Sequence, residues 1–133
     1  IAPIMSVVSG KSTLTAVEGI LIEANSTDSC NYPEFGHALA NAVESGELET
    51  GIAICGTGNG INMSVNHHAG IRGALCWQPQ IAELARQHND ANILVMPGRF
   101  IDEDTARLCV EKFLNTPFEG GRHQARIDAI PVK

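Results

Sequence analysis

Apolar positions along the chain alternate between helical spacing and short continuous runs. Between 34 and 45 the apolar residues recur every three or four positions and Gly46 follows them, which predicts an amphipathic helix. Apolar runs at 51–55, 71–77 and 92–96 are short enough to be buried strands. Helices and strands therefore alternate through this part of the chain, a pattern typical of a parallel sheet covered by helices.

Further helices are predicted between and after these strands. Residues 61–66 follow the first strand, and a helix that starts at Pro79 carries an apolar stripe ending at His88. Asp102 is a typical N-cap for the helix that follows it. No repeat, linker or low-complexity stretch interrupts residues 1–133, so we expect a single domain.

The N-terminal part fits this pattern poorly. Residues 1–8 are interpreted as a strand and 13–23 as a helix, but 24–32 contains turn residues where a second strand is expected. Either residues are missing between positions 5 and 26, or the N-terminus has diverged. We favour the first explanation, because losing a strand would expose a sheet edge. Residues 1–25 are therefore expected to be atypical or incomplete.

Composition narrows the class of protein. The 133 residues carry 15 Asp and Glu against 9 Lys and Arg, a net charge of −6, so no nucleic-acid-binding surface is expected. Only 18% of residues are charged, which suggests that part of the surface is a subunit interface. No apolar run approaches the roughly 18 residues of a membrane span. The four cysteines are scattered and no export signal is visible, so we expect free thiols in the cytoplasm.

The segment Cys55-Gly56-Thr57-Gly58-Asn59-Gly60 lies between a predicted strand and a predicted helix. Its glycines allow backbone N–H groups to converge at a helix N-terminus, which binds anions and stabilises a thiolate. Ligands of open α/β sheets bind at the carboxyl ends of strands. This loop is the strongest candidate site, although a tight turn with an inert cysteine has the same pattern.

Other residues carry candidate chemistry with weaker signals. His88 ends an apolar helical stripe, where by itself a structural histidine is the better explanation. Arg122 and Arg126 are four residues apart, so on a helical turn both guanidinium groups would face one phosphate. A solvated basic tail explains these two arginines about equally well. Arg99 follows another strand and is a third candidate for binding an anion.

Two further motifs do not support a function. Ser9-Gly10-Lys11-Ser12-Thr13 is similar to the second half of a P-loop, but Met5 occupies the position of the first glycine. His67-His68 suggests a metal site, but adjacent side chains diverge and no carboxylate or cysteine stands at ligand spacing. We therefore expect neither nucleotide hydrolysis nor a metal site.

Several motifs, taken in order, resemble a known family. They are Tyr32-Pro33, G-I-A-I-C-G-T-G-N-G-I-N-M (51–63), G-I-R-G-A-L-C (70–76), A-R-Q-H-N-D-A-N (85–92) and F-E-G-G-R-H (118–123). Over about Ser26 to Ile130 the chain resembles the ribose-5-phosphate isomerase B / galactose-6-phosphate isomerase family. Where that family has an N-terminal Asp-His-x-Gly motif, this chain has Ser-Val-Val-Ser-Gly.

This resemblance implies a Rossmann-like three-layer α/β/α sandwich with a five-stranded parallel sheet. It also implies a homodimer or homotetramer with active sites at the subunit interface. The implied reaction interconverts ribose 5-phosphate and ribulose 5-phosphate through a cis-enediolate, without a cofactor or metal. Cys55 favours this pentose pair. The alternatives are an isomerase of galactose or allose 6-phosphate and a catalytically silent sugar-phosphate-binding protein.

The resemblance also implies a role for each candidate residue. Cys55 is the base that removes the carbon-bound proton, and Thr57 moves protons between O1 and O2. The backbone of Gly56–Gly60 stabilises the enediolate oxygen, His88 opens the furanose ring and Asn89 contacts the sugar. Three arginines bind the substrate and its phosphate, some of them from the partner subunit: Arg99, Arg122 and Arg126.

Overall fold

The computed structural model describes residues 6–13, 16–18, 21–23 and 31–133. The strands are β1 (Ser6–Thr13), β2 (Ala16–Glu18), β3 (Leu21–Glu23), β4 (Thr50–Cys55), β5 (Gly73–Leu75) and β6 (Ile93–Pro97). The helices are α1 (Tyr32–Glu44), α2 (Asn59–Asn66), α3 (Pro79–Asn89), α4 (Glu103–Asn115) and α5 (Arg122–Asp128). None of these described helices is long and apolar enough to cross a bilayer.

From residue 31 onward the predicted helices and strands are confirmed. Every predicted strand in this part is found, with the second one shortened to Gly73–Leu75. Asp102 caps α4 as expected, because its carboxylate accepts a hydrogen bond from the N–H of Thr105 at 2.8 Å. The helix predicted over 13–23 is wrong, since the described residues there form β2 and β3. Val17, Ile20 and Ile22 in this segment are β-branched, and such residues favour strands over helices.

The described strands join in one sheet in the order β2-β1-β4-β6-β5, with β3 paired to β1. β4, β6 and β5 are parallel, but β1 runs antiparallel to β4. The expected five-stranded parallel sheet is therefore wrong for the described residues. The short connection from β1 to β3 permits only antiparallel pairing, while α1 carries the chain from β3 across β1 to β4. β1 thus lies antiparallel between two strands that share a direction. The strand predicted over 1–8 and the turn segment 24–32 fall partly on residues 1–5 and 24–30, which lie outside the described residues.

Helices cover both faces of the parallel strands, so the three-layer α/β/α arrangement is confirmed. Successive residues of β4 and β6 point to opposite faces and build two separate clusters of buried side chains. One cluster packs against α1 and α2 and contains Leu39, Ile61, Val65, Ala53, Ile93 and Val95. The other packs against α3 and α4 and contains Ala82, Cys109, Phe113, Ile52, Leu94 and Met96. Packing in these two clusters fixes the positions of the ends of β4 and β6, where the candidate residues lie.

Candidate active site

The loop after β4 lies at the carboxyl edge of the parallel strands. Cys55 ends β4 and is half-buried, and Gly58 is the N-cap of α2 with φ of 79°, a left-handed conformation that glycine adopts without strain. A glycine cap supplies no side-chain hydrogen bond to the helix. Thr57 Oγ1 accepts a hydrogen bond from the N–H of Asn59 at 3.2 Å. The N–H of Asn59 is thus occupied, and the N–H groups that follow it in the first turn of α2 lie beside this loop, at the kind of helix N-terminus that can bind an anion.

Close packing around this loop disfavours a side chain at Gly58 and Gly60. A Cβ atom on Gly58 would overlap the side chain of Leu75. A Cβ atom on Gly60 would lie 2.5 Å from Cζ of Tyr32, because the phenol ring lies directly over this turn. Tyr32 is 40% exposed, so it forms one wall of the loop while remaining accessible. The sequence signal for this wall is the Tyr32-Pro33 motif.

Two backbone hydrogen bonds join this loop to the loop after β6. The N–H of Gly98 donates to the carbonyl of Cys55 at 2.8 Å, and the N–H of Arg99 donates to the carbonyl of Gly56 at 3.0 Å. A Cβ atom on Gly56 would lie 3.3 Å from Nε of Arg99, so the guanidinium lies against the loop. Arg99 therefore belongs to the same group of residues as Cys55 and Thr57, and brings a positive charge to the carboxyl edge.

The other thiols of the described chain differ sharply from Cys55. Cys76 and Cys109 are fully buried in the cluster beneath α3 and α4. Burial, with a smaller contribution from Cys109, raises the pKa of Cys76 to about 12, and burial also raises the pKa of Cys109. A thiolate is the nucleophile or base, so both buried thiols are chemically silent at neutral pH. Cys55 is the accessible thiol among the described cysteines.

His88 and Asn89 lie at the opposite, amino edge of the parallel strands. α3 begins after β5 at the carboxyl edge and runs back, so its last residues lie where β6 starts. The N–H of Glu119 donates to the carbonyl of Gln87 at 3.1 Å, which fastens the segment before α5 to the same end of α3. Arg122 and Arg126 on α5 are both exposed. The amino edge therefore carries the remaining predicted site residues.

A stacked pair of imidazoles fixes His88. Its ring lies 4.4 Å from the ring of His123, centroid to centroid, with 15° between the planes. His123 is buried, and its Nε2 lies 3.5 Å from Oε2 of Glu119. Sequence reasoning missed both His123 and Glu119, although both lie in the F-E-G-G-R-H motif. These three residues offer donor atoms within 4.8 Å of one another.

Two arginines stabilise the turn that follows His88 and Asn89. Asp90 has φ of 47°, a left-handed conformation that is uncommon outside glycine. Its carboxylate accepts hydrogen bonds from Arg86 at 3.0 Å and from Arg72 at 3.3 Å. The turn is thus fixed by charge-assisted hydrogen bonds, and the orientation of the last turn of α3 is fixed with it.

The predicted site residues therefore form two separate groups in one chain. The carboxyl-edge group contains Cys55, the Gly56–Gly60 backbone with Thr57 and Asn59, and Arg99. The amino-edge group contains His88, Asn89, Arg122 and Arg126. β6 has five residues, which span about 16 Å at roughly 3.3 Å per residue. A side chain does not reach across that distance, so a single chain does not bring the two groups together.

Comparison with known proteins identifies the family. The sequence profile described as Ribose/Galactose Isomerase matches residues 7–130. The chain belongs to the ribose/galactose isomerase family. The matched region includes both groups of predicted site residues.

Individual members of the ribose/galactose isomerase family are closely similar to this chain. It is 44% identical to ribose-5-phosphate isomerase B of Escherichia coli (strain K12), over 79% of this chain and 70% of that protein. A crystal structure of a ribose 5-phosphate isomerase from Thermotoga maritima aligns with a TM-score of 0.77 at 47% identity, covering 79% of this chain and 72% of that one. The crystal structure of ribose-5-phosphate isomerase B from Mycoplasma genitalium with bound ribulose-5-phosphate aligns with a TM-score of 0.75 at 41% identity. The alignment covers 80% of this chain and 72% of that one.

Proposed function

We propose that this protein is an aldose–ketose isomerase that interconverts ribose 5-phosphate and ribulose 5-phosphate. The observation that carries the proposal is the Cys55–Gly60 loop, which combines an accessible thiol with the N–H groups of a helix N-terminus. Proton removal next to a carbonyl requires both a base and donors aimed at the developing oxyanion. Membership of the ribose/galactose isomerase family and the ribulose-5-phosphate bound to the Mycoplasma relative support the choice of reaction.

The proposed mechanism begins with open-chain ribose 5-phosphate against this loop. The Cys55 thiolate takes the proton from C2, and the C2–H electron pair forms the C1–C2 double bond of a cis-enediolate. Negative charge then develops on O1, where the first N–H groups of α2 stabilise it. Thr57 carries a proton from O2 to O1, and the Cys55 thiol returns its proton to C1. The product is the ketose, and the thiolate is regenerated without a cofactor or metal.

We propose that the site is completed by a second copy of the chain. His88 would open the furanose ring, Asn89 would contact the sugar, and Arg122 and Arg126 would bind the phosphate. These four residues lie at the edge opposite to Cys55 within one chain, so they would act on the Cys55 loop of a partner subunit. Exposed apolar surface supports such an interface, since Phe100, next to Arg99 at the carboxyl edge, is 74% exposed. The assembly is thus a homodimer, or a homotetramer built from such pairs.

Mixing two inactive variants tests whether the site is shared. Cys55→Ala and His88→Ala each inactivate the protein in this proposal. After mixed refolding, half of the dimers are heterodimers, and each of those contains one site with both residues intact. Activity should therefore return to about a quarter of the wild-type level. If each site lies within one chain, every site in the mixture lacks one residue, and no activity returns.

The substrate is tested by direct assay. We expect turnover of ribose 5-phosphate to exceed that of allose 6-phosphate and galactose 6-phosphate. The second candidate function is isomerisation of a six-carbon sugar phosphate. It is supported by the family description, which includes galactose isomerases. Preferred turnover of either hexose would establish that candidate. Binding of sugar phosphates without turnover of any would instead establish a silent binding protein.

We also propose that residues 1–133 form one isomerase domain that works in the cytoplasm. The described thiols at Cys55, Cys76 and Cys109 are free, which suits a reducing compartment. Limited proteolysis tests the first part: a single domain yields no stable fragment that ends near residue 30. Fractionation of the source cells tests the second.

A further inference from the structure

We propose that His37 and His68 bind a divalent transition-metal ion, such as Zn²⁺ or Ni²⁺, on the outer surface of the α1–α2 layer. Nδ1 of His37 on α1 and Nε2 of His68, two residues after the end of α2, lie 2.7 Å apart. Imidazole nitrogens are ligands that zinc and nickel prefer, and here two of them from neighbouring elements lie next to each other.

The other nitrogen of His68 is already held as in a metal-ligating histidine. Nδ1 of His68 lies 2.8 Å from Oε1 of Glu44, and Oε2 of Glu44 accepts a hydrogen bond from the N–H of Gly70 at 2.8 Å. Metal-binding histidines commonly donate their second N–H to such a carboxylate, which fixes the tautomer and orients the ring. Glu44 therefore leaves the lone pair of His68 Nε2 directed at His37.

A small movement of His37 makes room for the ion. Two nitrogens bound at about 2.1 Å in a tetrahedral site are about 3.4 Å apart, somewhat more than the distance between these two. His37 is exposed, so its ring can rotate outward, whereas His68 is only 16% exposed and is held by Glu44. Water molecules would fill the remaining positions. No metal site was expected at His68 because no carboxylate lies at ligand spacing from it along the chain. The fold brings the carboxylate of Glu44 on α1 to this histidine.

The position of this cluster predicts an effect on stability and not on the reaction. His68 follows the C-terminal end of α2, whereas the Cys55 loop precedes its N-terminal end. The eight residues of α2 span about 12 Å. An ion at His37 and His68 would tie α1 to the end of α2, and it would bind only the folded chain. Binding should therefore raise Tm with the concentration of the ion.

Calorimetric titration with ZnSO₄ tests the proposal on untagged, chelator-treated protein. We expect one ion per chain at this cluster. His37→Gln and His68→Gln should each weaken binding by about tenfold or more, and Glu44→Gln should weaken it by about tenfold through loss of orientation. His67→Gln is the matched control, because His67 is adjacent in sequence and makes none of these contacts; it should leave binding and the Zn²⁺-dependent rise in Tm unchanged.

Three outcomes would overturn the proposal. Unchanged Zn²⁺ affinity in both His37→Gln and His68→Gln would show that these rings are not ligands. Loss of binding in His123→Gln alone would place the ion at the amino-edge cluster. A wild-type measurement guards against variants that fail to fold: Zn²⁺ should shift the ring ¹⁵N signals of His37 and His68, and shifts confined to other histidines would contradict the proposal.

Discussion

At the carboxyl edge of the parallel strands, backbone geometry creates the candidate chemistry, whereas at the amino edge side chains at helix ends create it. The Cys55 loop depends on glycines and on the end of β4. His88, Asn89 and the two exposed arginines depend on where α3 ends and how α5 packs onto it. In the proposed mechanism the first edge supplies the base and the oxyanion donors, and the second supplies the ring-opening acid and the phosphate-binding arginines. Under this proposal neither edge of one chain is a complete site.

The largest expected effect is on Cys55. Cys55→Ala should lower kcat by about 10²–10⁴, because the base is lost while the half-buried position tolerates a smaller side chain. Proton exchange at C2 of the substrate in D₂O, followed by NMR, should fall in parallel. Wild-type turnover in this variant would remove the thiol from the mechanism.

The buried thiols provide the control for Cys55. Iodoacetamide at about pH 8 should label the Cys55 peptide of the native protein, while the peptides of Cys76 and Cys109 stay unmodified. The raised pKa keeps Cys76 protonated until the pH approaches 12, and burial blocks access to both thiols. Mass spectrometry of the digest checks this, and labelling of Cys76 before Cys55 would contradict it.

The amino edge should respond differently to its own substitution. His88→Gln should lower turnover of ribose 5-phosphate by about 10²-fold, since ring opening loses its acid. A four-carbon aldose 4-phosphate has no free hydroxyl with which to close a five-membered ring. C2 proton exchange on that compound should survive in His88→Gln and vanish in Cys55→Ala. Equal loss of C2 proton exchange in both variants would mean that His88 and Cys55 act in the same step.

The arginines of α5 should affect binding more than chemistry. Arg122→Ala or Arg126→Ala should raise KM for ribose 5-phosphate by about 10–100-fold, because each removes a charge-assisted hydrogen bond to phosphate. Initial-rate kinetics measures this change. Arg107→Ala is the matched control, since Arg107 is an exposed helical arginine paired with Glu103 and should leave KM unchanged. A similar rise in KM for all three variants would point to a general effect of net charge.

The smallest effect tests the backbone at the carboxyl edge. Gly58 and Gly46 have nearly the same φ, 79° and 81°, but a Cβ atom overlaps Leu75 at Gly58 and meets nothing within 4 Å at Gly46. Both alanine variants incur backbone strain. The free energy of unfolding of Gly58→Ala should be about 1–3 kcal/mol lower than that of Gly46→Ala, because only Gly58→Ala also meets Leu75. Urea unfolding of both variants checks the difference. Equal losses would mean that Leu75 moves aside without cost.

Local sequence patterns predicted most of the elements from residue 31 onward, because periodicity and capping act within a few residues. The stripe before Gly46 became α1, and Asp102 became the cap of α4. The segment 13–23 misled because its apolar spacing fits a helix as well as strands. There Val17 and Ile22 pair with residues of β1, and a search for helical spacing does not take such pairing into account.

The sequence by itself determined the Cys55 loop, since a strand end, three glycines and a helix start are consecutive along the chain. Only the tertiary structure decided that His88 and the arginines of α5 lie at the other edge, because the direction of α3 depends on its packing across the sheet. It also brought Glu44 to His68 and His123 to His88, pairs that are 24 and 35 residues apart. Contacts at such separations arise from the packing of helices, and no spacing rule along the chain encodes them.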